Sequence, residues 1–159
     1  MNTRIKEHGT PRIGRPPALA LVLAAAAGLS LAAERRVVKD NPLADYPYDT
    51  WSNAASSIQM AIDDAAPGDT ILVTNGVYDT GGRPAAGSSL TNRVTIDRAV
   101  AVIALSTNPA DTVIVGAWDP DTEWTGDQAI RGVHMIEGAF LSPVCQRRQH
   151  AQRLQCHVA

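Results

Sequence analysis

The rhythm of apolar and polar positions changes near residue 66. Between 56 and 66, Ile58, Ala61, Ile62 and Ala65 recur at helical spacing, while Gln59, Asp63 and Asp64 fall on the other face. This predicts a short amphipathic helix that Pro67 and Gly68 terminate. Ser56 and Gln59 have the spacing of a capping box, in which the hydroxyl accepts an N–H from the first turn and the amide reaches back. From residue 70 the pattern becomes short β-branched runs between turn residues, at 70–73, 94–96, 100–103, 112–115 and 130–135, with 139–141 starting another. Anchored on Ile71, Val94, Val113 and Val133, the runs recur at nearly even intervals. Steps of about 20 residues predict one rung each of a stacked solenoid. Sandwiches also space strands regularly, but the leading helix and the lack of Asn-Gly hairpins favour a stack. The Asn75-Gly76 pair is followed by only Val77 and Tyr78 before Asp79, too few for a hairpin arm. The expected class is mostly β, a cap helix followed by the first coils of a β-solenoid.

The start of the chain has a different logic. Residues 1–17 carry Arg4, Lys6, Arg12 and Arg15 against Glu7, and 18–33 is a run of small and apolar residues. Ser30 and Ala32 put small residues at the two positions a signal peptidase reads. A basic head, a short apolar stretch and a small-residue exit describe a secretory signal peptide over 1–33. An uncleaved anchor or an ordinary core helix are the alternatives; the run is shorter than the roughly 20 residues a spanning helix needs. Residues 34–55, with Pro42, Pro47, Tyr46, Tyr48 and Trp51, read as a linker, with Trp51 expected beneath the helix. Residues 56–142 read as cap and first coils, and 143–159 as an atypical tail outside the fold.

That tail holds both cysteines, Cys145 and Cys156, together with Arg147, Arg148, Arg153 and four glutamines, and has no Asp, Glu or Gly. In an exported chain the pair could close a small loop. The abrupt change of composition suggests instead a slip of reading frame. Before the tail the mature part is acidic with dispersed bases, which argues against nucleic acid, since phosphate binding needs a clustered basic face.

Trp51, then S-S-I-Q-M-A-I-D-D-A-A over 56–66, then P-G-D-T-I-L-V-T-N-G-V-Y over 67–78, resembles the opening of right-handed parallel β-helix proteins of the pectin-lyase-like superfamily. The likeness continues through 90–96, 99–103 and 129–133, and covers roughly 49–141. It implies a three-sided coil in an exported protein, with any sugar-binding groove several coils beyond the lid. The chain therefore reads as a truncated N-terminal part. The expected role is structural, in a cell-surface or extracellular protein linked to polysaccharide or adhesion, without activity of its own. A polysaccharide lyase or hydrolase fragment, or a carbohydrate-binding module, is the alternative. No stable membrane span is expected once the signal is removed.

The residues themselves assign no catalytic, cofactor-binding or metal site. Asp119, Asp121 and Glu123, with Asp127 nearby, match the opening of a calcium loop, but Trp124 stands where that loop needs Gly and no closing Glu follows. A solvated loop between coils is the plainer account, and the same acids lack the fixed separation of a glycosidase pair. Trp118 and Trp124 flank them as a sugar platform or as packing. His134 sits between Val133 and Met135 and should point outward. Gly81, Gly82, Gly87, Ser88 and Ser89 read as a flexible excursion, not a phosphate loop.

Overall fold

Three ladders of parallel strands wrap one apolar core. A computed structural model describes residues 31–122, 126–147 and 155–157; of the expected leader over 1–33 only 31–33 fall within these, and the carboxylate Glu123 lies outside them. In sheet A, β1 (Glu34–Val37), β2 (Thr70–Val73), β6 (Ala101–Ala104) and β9 (Phe140–Ser142) lie side by side, every neighbour parallel. Sheet B stacks β3 (Gly76–Tyr78), β7 (Thr112–Val115) and β10 (Val144–Arg147) in parallel. In sheet C, β5 (Thr91–Ile96) pairs in parallel with β8 (Arg131–Met135). The chain visits C, A and B in turn, so this is a mostly-β parallel solenoid of about three turns, with one α-helix among the described residues.

The coil is longer than the sequence spacing implied. Thr70 stacks on Ala101 and Ala101 on Phe140, so one turn of sheet A runs from position 70 to 101 and the next from 101 to 140. Ile71, Val94 and Val113 belong to sheets A, C and B respectively, so the even intervals of the sequence pattern pass from one side of a coil to another. Only Val94 and Val133 among those anchors stack directly.

Alternation builds the core. Ile71, Val73, Val94, Ile96, Val102, Ile114 and Val144 are each at most 2 % exposed and belong to one cluster. Successive strand side chains face opposite sides, so each sheet turns one row inward; in sheet A that row is Ile71 on Val102 and Val102 on Leu141. A second small cluster of Val113, Val115 and Cys145 lies on the other side of sheet B. At the corner before sheet A, Gly68 takes φ +95° and Gly138 φ +83°, a region open to glycine at little cost. The Gly68 N–H donates to Ala99 O at 2.7 Å.

The helix α1 (Ile58–Asp64) fills the place a sheet C strand would occupy in the first coil. Ile58, Ala61, Ile62 and Ala65 are buried as its spacing predicts. Burying Ile58 and Ile62 contributes about 1.5–3 kcal/mol each. The capping box does not form: Ser57 is the N-cap, its hydroxyl accepting from Met60 N–H at 3.2 Å. Gln59 turns away to β5.

Three further expectations change. Glu34–Val37, at the start of the presumed linker, is the first layer of sheet A. Trp51 is not beneath the helix; it is 44 % exposed, with the Arg36 guanidinium 5.2 Å from its ring centre. The segment from Pro143 enters the fold, because β10 stacks on β7 with Val144 and Cys145 fully buried. Strand β11 (Gln155–His157) runs antiparallel to β10, with Cys156 opposite Cys145, and Cys145 is disulfide-bonded. Composition misled there, since burial depends on the alternating row and not on the average polarity of a segment. The excursion after Tyr78 also contains β4 (Arg83–Pro84), antiparallel to β5.

Candidate functional site

Charged side chains concentrate where α1 meets the first coils. Arg35 occupies an inward register position on β1, directly beside Ile71. It is 9 % exposed and carries its charge inside the cap, where an unpaired guanidinium would be costly. Its Nη1 donates to Pro47 O at 2.9 Å and pairs with Asp64 Oδ2 at 2.9 Å; its Nη2 lies 3.4 Å from Asp69 Oδ2. Asp69, 2 % exposed, accepts the Ala66 N–H at 2.8 Å on Oδ2 and the Ala33 N–H at 2.8 Å on Oδ1. This carboxylate thereby ties the end of the helix, the start of β1 and the start of β2 together.

A second network fastens α1 to β5. Arg83 bridges Asp63 and Asp97, the latter at 2.7 Å. Arg98 pairs with Asp97 at 3.0 Å and donates to the carbonyls of Asp63 at 3.1 Å and Ala65 at 2.7 Å. Those carbonyls are among the acceptors a helix C-terminus leaves unpaired, so Arg98 closes that end. Burial raises the Asp97 carboxyl, but the Arg98 hydrogen bond and charge, with the charge of Arg83, outweigh it and hold the carboxyl below its ordinary range.

Between α1 and β5 lies a cavity of about 40 Å³, lined by Lys39, Ser57, Gln59, Tyr78, Thr80 and Arg93 among others. Pockets for drug-sized ligands are roughly 300–1,000 Å³, so this one takes water and not a sugar ring. Arg93 is 6 % exposed there, donating from Nε to Val115 O at 2.7 Å and from Nη1 to Gly81 O. Burial lowers its guanidinium pKa, opposed by the charge of Asp79.

The carboxylate loop is organised by its own backbone. Asp119 accepts the Asp121 N–H at 2.9 Å on Oδ1 and the Gln128 N–H at 3.0 Å on Oδ2. The Gln128 N–H contributes most to holding its carboxyl below the usual range, followed by that of Asp121. A methyl group on Gly126 would overlap this carboxylate. Asp121 is engaged by the Gln128 side chain, Asp127 is exposed, and Glu123 lies outside the described residues. Asp119 is therefore the organiser of a turn, with both oxygens occupied by N–H groups. Among the described residues, no group of three or more His, Cys, Asp or Glu side chains could hold a metal ion.

Trp118 is half-buried and Trp124 lies outside the described residues, so the expected indole pair stands untested. His134 is exposed on β8, in register with Thr95. Among the described residues the exposed aromatics are Tyr46 at 65 %, Trp51 at 44 % and Phe140 at 45 %. Sequence reasoning missed Arg35 and Asp69 as a unit; the one available signal was an Arg on the β1 face that also carries Val37. No helix among the described residues is long and apolar enough to cross a membrane. No protein-family model, curated protein or solved structure matches the chain.

Proposed function

We propose that this chain is an exported structural element, a lidded β-solenoid akin to the pectin-lyase-like superfamily, serving an extracellular or cell-surface protein that handles polysaccharide or mediates adhesion. The observation that carries the reading is the sealing of the first coil by α1 through Ile58 and Ile62, over strands that stack in parallel. The Cys145 disulfide supports an oxidising compartment. The basic head and apolar run before residue 33 support the route. Expression of the full chain in an exporting bacterium tests it. The expected product is oxidised, shorter than the full chain and outside the cytoplasm; an intact, reduced chain retained in the cytoplasm overturns the reading.

Exposed Trp51 and Tyr46 favour a second reading, a carbohydrate-binding surface on the cap. Indoles stack on the apolar faces of sugar rings, and the Arg36 guanidinium already holds one side of Trp51. Glycan-array binding by the secreted product that disappears in Trp51→Ala supports this reading. Binding unchanged by that substitution, or absent from the start, removes it.

A further inference from the structure

We infer that Asp69 is a built receptor for the α-ammonium group that hydrolysis of the Ala32–Ala33 bond would create, so that removal of the leader locks the cap. This deepens the export reading and rests on it, with the leader ending at Ala32, one residue before the boundary expected from the sequence. Position 33 is pinned from both sides: its N–H donates to Asp69 Oδ1 at 2.8 Å, and its carbonyl accepts the Thr70 N–H at 2.9 Å. Immediately before it, Ala32 is exposed and Leu31 is 89 % exposed, so the bond is open to a peptidase while its future partner is buried. Ser30 and Ala32 are the small residues such an enzyme reads.

Charge balance points the same way. The hub holds two carboxylates, Asp64 and Asp69, against one cation, Arg35, among the described residues. Glu34 beside it is engaged by Arg36. Hydrolysis consumes one water: the C–N bond breaks, oxygen goes to the Ala32 carbonyl carbon to give a carboxylate, and the Ala33 nitrogen takes protons to become –NH3+. The nitrogen need not move. A neutral N–H donor becomes a charged one on the same buried oxygen, and charge-assisted bonds are the stronger kind. The missing positive charge of the hub is thus supplied by processing.

The experiment uses the full chain in an exporting bacterium, with the cleavage-blocked variant Ala32→Leu as its unprocessed counterpart. Mass spectrometry of the exported product should give Ala33 as the first residue. Its α-amine, followed by NMR after isotopic dimethylation, should titrate above the ordinary value of about 8. The processed form should melt about 4 °C or more above the unprocessed one, and Asp69→Asn should abolish both differences. A product beginning elsewhere overturns the assignment while leaving export intact. An α-amine with ordinary titration in the unsubstituted product does so too, whether or not Asp69→Asn folds. A chain that is neither exported nor cut overturns this inference and the export reading together.

Discussion

The side-chain amide of Gln59 pairs with the main chain of Thr95 as a strand would: Nε2 donates to Thr95 O at 3.1 Å, and Oε1 accepts the Thr95 N–H at 2.8 Å. Thr95 is 1 % exposed and sits near the end of β5, whose edge away from β8 pairs with β4 at Thr91 and Asn92 and meets α1 instead at Thr95. A helix cannot extend a ladder through its own backbone, because those groups are spent within it. Gln59 does so instead. Sheet A solves the same problem differently, with the Ala55 N–H donating to Arg36 O at 2.8 Å and the Val38 N–H to Ala55 O at 3.0 Å. Both devices blunt edges that would otherwise recruit other strands.

Gln59→Leu removes both bonds and leaves two buried main-chain groups unpaired. A loss of roughly 1–3 kcal/mol is expected in urea unfolding. Gln59→Glu keeps the acceptor but loses the donor and adds a charge next to Asp63, so it should be no better than Leu. Wild-type stability in both variants would show the pairing to be incidental.

Ile62 is fully buried beneath the cap. Ile62→Ala should cost about 2–5 kcal/mol, from lost transfer energy and the cavity left behind. Val77 is 42 % exposed on β3, and Val77→Thr should stay within about 0.5 kcal/mol. Equal effects from the two would remove the distinction between inner and outer rows.

The sequence showed the cap helix because its evidence is local: four apolar positions on one face and a Pro-Gly stop. It showed the runs of sheets A, B and C for the same reason. Which run lies on which was hidden, because β-branched runs on different sides of a coil look alike and the loops between them differ in length. The stacking of Ala101 on Thr70 and of Phe140 on Ala101 is a relation across a whole coil, which no local rhythm contains. Gln59 misled for a related reason. A capping box is a rule about neighbours, whereas its actual partner, Thr95, lies beyond the helix and the first strands. Cys145 was legible as a disulfide candidate, but its strand was obscured by polar neighbours.

Asp97 gives the acid limb a defined sign. Its folded carboxyl lies below the ordinary 3.8, so its contribution is complete above that value and is lost as pH falls below about 4. Stability against pH should therefore decline from pH 4 downward in the native chain. In Asp97→Asn that decline should be shallower, with neutral-pH stability lower by roughly 0.5–1 kcal/mol for a partly exposed pair. An unchanged acid limb would show that Arg83 and Arg98 do not select the charged form. Burial raises the Tyr78 hydroxyl above 10.0, which places its loss at the alkaline end, as pH rises past that value.

Cys145 fastens β10 to the stack. Breaking its disulfide by Cys145→Ser frees a short loop and puts a hydroxyl beside Val113 and Val115. A loss of about 2–4 kcal/mol is expected. Exchange protection should fall first in β10 and persist in β2 and β6. Uniform loss of protection would mean that the three coils unfold as one unit.

The central claim is a parallel stack in which a full coil separates Thr70 from Ala101 and another separates Ala101 from Phe140, closed at its start by a helix. Inter-strand backbone NOEs measure this most directly. Contacts should link Thr70 to Ala101, Ala101 to Phe140 and Val94 to Val133, with the spacing of parallel strands. Contacts joining Ile71 to Val94, or Val94 to Val113, as antiparallel neighbours would contradict it.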